Sequence, residues 1–194
     1  MSRATLSELS SFYVILPILA GLYGIALFIY NRRRLRERAT PAERILLAVL
    51  LLCYLALYLY LTLYYRRPRR TGSMNPELFW SYREAFSLSG GGLIIRRKGL
   101  ARQILLNILV DMPLGFLLPL VFHRRKHPYL LAVLAAFLLS ALTEITQYFT
   151  HRGLCELDDV FNNTLGCALG AALFALGAAW LRQRSNPDGK KESD

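Results

Sequence analysis

The sequence predicts an all-α fold: a polytopic membrane helix bundle of about five transmembrane helices with one long, partly interfacial loop. Three observations predict it. Hydrophobic residues make up 54% of the 194, and the mean hydropathy is positive. Several apolar runs reach the roughly 20 residues that cross about 30 Å of hydrocarbon. Basic residues gather at the ends of those runs, as NRRRLRER, YYRRPRR, IIRRKG and HRRKH, where lipid headgroups and the membrane surface receive them.

These runs use up most of the chain, so a single membrane domain over residues 1–194 is expected, without internal repeats. The net charge of +11 would suggest nucleic acid in a soluble protein. Here no aromatic-basic platform accompanies it, and nucleic acid is excluded as a partner. Cys53, Cys155 and Cys167 are odd in number and lack metal-site spacing. They imply neither a disulfide framework nor zinc.

Taken in order, the first span is expected at 12–30. It lacks a basic start of the usual kind and a small-residue cleavage site, so it reads as a span rather than a signal peptide. The second, 45–65, carries Tyr54, Tyr58, Tyr60, Tyr64 and Tyr65, whose later members fit an interfacial aromatic belt. Residues 66–103 form a long outer loop in which PELFWSYREAF mixes aromatics and charges, as an interfacial helix does. Its Ser89 to Gly92 run reads as a flexible joint.

The third span, 104–122, contains Pro113 and Pro119, which bend helices, and Gly115, which permits close contact. The fourth is 129–149. In the fifth, 160–181, Gly166 and Gly170 have the spacing that lets membrane helices approach closely. Residues 182–194 form a polar tail. An N-outside, C-cytoplasmic arrangement puts thirteen of the 24 lysines and arginines inside and eleven outside. The short loops are the better reporters and favour that orientation.

Polar residues converge at one end of these spans. Asn107 and Asp111 share a face of the third helix, Glu144, Gln147 and His151 share a stripe of the fourth, and Asp159 and Asn163 share a face at the start of the fifth. Asp158 or Asp159 suits the cap of that last helix. An acid inside a span costs about 2.5 to 3.5 kcal/mol even on lenient scales, so Asp111 and Glu144 are expected to face inward. Asp111, Glu144, Glu156, Asp158 and Asp159 outnumber Arg152. Protons, a divalent cation held by Glu144, Asp158 and Asp159, or the basic 66–103 loop are the alternatives for offsetting that charge.

At these residues the chain resembles the VanZ-like family of small bacterial membrane proteins. The resemblance rests on NILVDMPLGFLLP in the third span and on an ordered set further along: Glu144, Gln147, Arg152, Gly153, Glu156, Asp158, Asp159, Asn163, Gly166 and Gly170. It covers 74–181. Two positions depart from the family pattern: Asp111 stands where the family is apolar or aromatic, and Glu156 replaces an aspartate. The resemblance implies reduced susceptibility to teicoplanin and related lipoglycopeptides, an envelope phenotype rather than a particular reaction.

The polar-pocket residues expected to matter are therefore Asn107, Glu144, Gln147, Arg152, Asp158, Asp159 and Asn163, with Asp111, His151 and Glu156 ranked below them. The leading expectation is an outward-facing pocket that binds an amphiphile, such as a lipoglycopeptide antibiotic or a lipid-linked wall precursor, beside the membrane lipids. An interfacial enzyme acting on lipid headgroups is the alternative, but no obvious nucleophile is present. A purely structural interhelical network is a third reading. A transporter is weakened by the lack of a repeat. No cofactor is implied beyond the divalent cation.

Overall fold

A computed structural model of the chain describes residues 18–33, 40–64, 70, 73–86 and 94–184. Residues 12–17 of the expected first span, the Ser89 to Gly92 joint and most of the C-terminal tail lie outside them. Helix α1 covers residues 18–33. It is followed by α2 (Pro41–Leu59) with a π turn at Tyr60–Tyr64, β1 (Ser73–Asn75), α3 (Trp80–Phe86), α4 (Ile94–Val121), α5 (Pro128–Thr150), β2 (Leu154–Glu156) and α6 (Leu157–Arg184). The fold is an all-α membrane bundle.

Among the described residues four helices are long and apolar enough to cross a membrane: Pro41–Tyr64, Arg96–Val121, Pro128–Thr150 and Leu157–Arg184. They outlast the expected spans because apolar-run counting stops at the first charge, whereas helical hydrogen bonding continues through polar ends. At the start of α2 the continuation has a specific cause. Thr40 accepts the Glu43 N–H, Glu43 Oε2 accepts the Thr40 N–H, and Pro41 sits in the first turn. This reciprocal cap fixes the helix start four residues before Ile45.

Within segment 66–103 the helix read at PELFWSYREAF is present as α3, while β1 and the early start of α4 depart from the expected loop. The segment holds β1, α3 and the opening turns of α4, which begins at Ile94 rather than Ile104. Of its described basic residues, Arg96 and Lys98 are exposed on the opening turns of α4, where backbone groups bond internally and the long side chains reach water. Strand β1 pairs in parallel with β2 through Ser73↔Leu154, Met74↔Cys155 and Asn75↔Glu156, so the segment is tied to the start of α6.

Helices α4 and α6 form the centre of the bundle. Leu19, Ala26 and Ile29 of α1, Leu47 of α2, Phe116, Leu117 and Leu120 of α4 and Phe174 of α6 make one core cluster. Leu114, Ala132, Ala136 and Cys167 make a second, between α4, α5 and α6. A Cβ at Gly166 would collide with the Ile108 carbonyl, one at Gly170 with the Met112 carbonyl, and one at Gly115 with the Cys167 carbonyl. Each glycine therefore lets one helix backbone lie against the other. Helix α4 runs through Pro113 and Pro119 without interruption.

Along the outer faces, Leu52, Leu57, Leu138, Leu142 and Leu176 are exposed. This is the distribution expected of helices that face lipid.

Candidate functional site

The turn after α5 decides where the polar residues go. His151 closes α5 in the left-handed region (φ 54°), and Gly153 follows at φ 102°. Two such residues reverse the chain within a few positions, and only glycine takes the second without steric cost. The reversal sets β2 and the first turn of α6 back against the end of α5. His151 itself is exposed and serves the turn.

Behind that turn the acids are buried. Glu144, Glu156, Asp158 and Asp159 are all at most 4% exposed, and Gln147 and Asn162 at most 1%, so each requires hydrogen-bond partners. Glu144 Oε2 accepts the Glu156 backbone N–H at 3.0 Å. Asp159 Oδ1 accepts from Asn107 Nδ2 at 2.7 Å and from Gln103 Nε2 at 3.3 Å. The same Gln103 nitrogen donates to Glu156 Oε2 at 3.1 Å. Asn107 reaches Asp159 because helical side chains lean toward the helix N-terminus.

Asp158 has a different task. Its Oδ1 accepts the Phe79 N–H at 2.5 Å, and its Oδ2 accepts the Ser81 N–H at 2.9 Å and the Ser81 hydroxyl at 2.5 Å. Those amides open α3, so a carboxylate from α6 closes the N-terminus of a helix far away in sequence. Phe79 is held at φ 64°, a region rarely occupied by an aromatic residue, with its amide aimed at Asp158. Tyr82 donates to Asn162 Oδ1, and Phe79 packs edge-on to Phe161 with ring centroids 5.0 Å apart. Segment 73–86 is thereby a cap seated on the end of the bundle.

Two titratable groups, Cys155 beneath the cap and Tyr82 within it, feel this environment. Burial, and then the carboxylates of Glu144, Glu156 and Asp159, push the Cys155 thiol above its ordinary pKa. Burial followed by the Asp158 charge raises Tyr82 in the same way.

The expected residues divide as follows. Asn107, Glu144, Glu156 and Asp159 form one connected set, and Asp158 lies beside it as the latch of the cap. Asn163 is nearby and donates to Ser140 Oγ at 2.8 Å. Gln147 points away and donates to the Thr62 carbonyl of the α2 π turn at 3.0 Å. Arg152 also turns aside. It donates to the carbonyls of Leu63 and Tyr64 at 3.3 and 3.2 Å and lies over the Tyr64 ring, closing a helix C-terminus as a cation does. Asp111 is deeper in the bundle, where Tyr54 donates to its Oδ1 at 2.7 Å.

No group of three or more His, Cys, Asp and Glu side chains is placed to hold a metal ion among the described residues. Glu144, Asp158 and Asp159 are directed at three different partners and do not converge as a donor set.

Gln103, Ser81, Tyr82, Asn162 and Ser140 take part without having been singled out from sequence. Two were legible: Gln103 precedes Asn107 by four, and Ser140 precedes Glu144 by four, each on the same helical stripe. Ser81 and Tyr82 had no such signal, since their partners lie on another element.

The family model described as VanZ/LLP1 matches residues 50–178. No curated protein and no solved structure matches the chain.

Proposed function

Because the chain belongs to the VanZ/LLP1 family, we propose that it serves the bacterial envelope by engaging an amphiphile at its capped end, contributing to resistance against teicoplanin-type glycopeptides or to envelope homeostasis. In this reading the capped end faces outward, the N-terminus is outside and the C-terminus cytoplasmic.

The observation that carries the reading is the Asp158 latch. A buried carboxylate, which is costly to install, holds segment 73–86 at the membrane end. The segment so held exposes Met74, Leu78, Phe79 and Phe86, an apolar rim suited to acyl chains at the interface. Arg96 and Lys98 are exposed on the adjoining turns of α4 and suit an anionic headgroup such as the diphosphate of a lipid-linked precursor. Asp158 fixes the position of the cap, and the ligand meets the cap surface above it.

The test is expression in a glycopeptide-susceptible host, with binding of labelled teicoplanin and of lipid-linked wall precursor to the purified protein. The expected result is a raised teicoplanin inhibitory concentration, lowered again by Asp158→Asn at equal protein level, and binding weakened by Phe79→Ala with Phe86→Ala. Unchanged susceptibility together with no binding of either compound would overturn the proposal.

A further inference from the structure

At the opposite end of the bundle, the last described turn of α1 and the C-terminal end of α4 meet the first turns of α2 around a cavity of about 450 Å³. Its walls carry Arg33, Arg44, His123 and Arg124, its floor is apolar with Leu51 and Leu120, and no acidic side chain lines it among the described residues. Three guanidinium groups around an apolar floor suit an anion attached to a hydrocarbon chain.

Arg33 is built into this site. Its side chain is only 10% exposed, and one terminal nitrogen donates to the Leu120 carbonyl at 2.8 Å. Glu43 is shared between Arg32 at 3.6 Å and Arg33 at 4.0 Å. It is the buried Arg33 Nε that faces Glu43 at 4.0 Å, and that nitrogen makes no hydrogen bond. Burial lowers the Arg33 pKa, Glu43 counteracts that, and Arg44 lowers it further. A second anion beside these arginines would act in the same direction as Glu43.

We propose that this cavity seats the phosphate headgroup of an anionic membrane glycerophospholipid, with the arginines on the phosphate and the apolar floor under the glycerol and the first acyl carbons. Arg44 and Arg124 are exposed at its mouth and make the entering contacts, while Arg33 forms the fixed inner wall. Basic pockets between membrane helices recognise lipid phosphates in this manner. The site is independent of the cap, which lies at the other end of the molecule.

The experiment uses the full chain in nanodiscs containing phosphatidylcholine and phosphatidylglycerol, with co-purifying lipid measured by native mass spectrometry. Phosphatidylglycerol should be retained over phosphatidylcholine. The double variant Arg44→Gln/Arg124→Gln should lose that retention by roughly tenfold or more, as expected for two charges at a membrane surface. Lys126→Gln, which removes a charge from the neighbouring loop but lies outside the cavity, should change it by less than about twofold. Equal retention of both lipids, or an equal loss in Lys126→Gln and the double variant, would overturn the inference. Displacement of the lipid by millimolar inorganic phosphate would overturn it too, marking a free-anion site.

Discussion

Asp158, in the first turn of α6, accepts hydrogen bonds from both the backbone N–H and the hydroxyl of Ser81, 77 positions earlier in the chain. One carboxylate thus joins the cap to the bundle.

Replacing Asp158 with asparagine keeps one acceptor and turns a donor toward other donors. We expect a loss of about 3 kcal/mol, since hydrogen bonds to a charged group contribute about 1.5–3 kcal/mol and the Ser81 donors are buried. Ser81→Ala should cost about 1 kcal/mol. Thermal unfolding in detergent checks both, and the double variant should cost clearly less than the sum. Strict additivity would mean that the two side chains are not coupled.

Gly170 lies against the Met112 carbonyl and Gly166 against that of Ile108. An added methyl forces α4 and α6 apart, so Gly166→Ala and Gly170→Ala should each destabilise by about 1–3 kcal/mol. At Gly99 an added methyl would meet nothing within 4 Å, so alanine there should bring no loss or a gain of up to about 1 kcal/mol. Equal behaviour of all three in a melting comparison would contradict the close approach.

Tyr54→Phe removes the donor from Asp111 Oδ1 and leaves a buried carboxyl, 2% exposed, without that bond. A cost of about 1–3 kcal/mol is expected. In the double variant Tyr54→Phe/Asp111→Leu both polar partners are gone, and stability should return to near the parent value or above it. Under the proposed function the teicoplanin inhibitory concentration should match that of the parent, because Asp111 stands apart from the cap. A double variant less stable than Tyr54→Phe alone would assign Asp111 a further role.

The Cys155 thiol is raised first by burial and then by three carboxylates. Thiolate is the reactive form, so a raised pKa means less of it at pH 8, and alkylation should keep accelerating above the pH at which a free thiol has levelled off. On a Cys53→Ser background, labelling by iodoacetamide should be slower than that of glutathione at pH 8. Asp158→Asn, which loosens the cap, should speed it several-fold. Fast labelling at Cys155 in the Cys53→Ser protein would place that thiol outside the buried cluster.

Legibility in the sequence followed the range of the interactions. Four of the expected spans and the Gly166/Gly170 contact face were readable, because each rests on periodicity within one helix. Of the Glu144 stripe only Glu144 joins the acidic set, since Gln147 turns to Thr62 and His151 is exposed. The Thr40–Glu43 cap was equally readable, from a threonine three positions before a glutamate, but is eclipsed by apolar-run counting. Segment 66–103 was readable only in part: PELFWSYREAF reads as a helix and holds α3 (Trp80–Phe86), whereas the three-residue β1 and the early start of α4 left no period to read. Elements as short as β1 and α3 are held by partners elsewhere in the chain rather than by their own propensity.

The sequence by itself determined that this is a membrane bundle of the VanZ-like kind, with its polar side chains gathered at one end. Burial of apolar helices in lipid and the 3.6-residue period require no knowledge of neighbours. Only the tertiary structure decided what those polar side chains do. Asp158 was a helix-capping acid in sequence and became the latch of a distant helix, while Arg152, the expected partner of the acids, closes α2 instead. A buried charge must find donors, and which donors it finds depends on what the fold brings within about 3 Å.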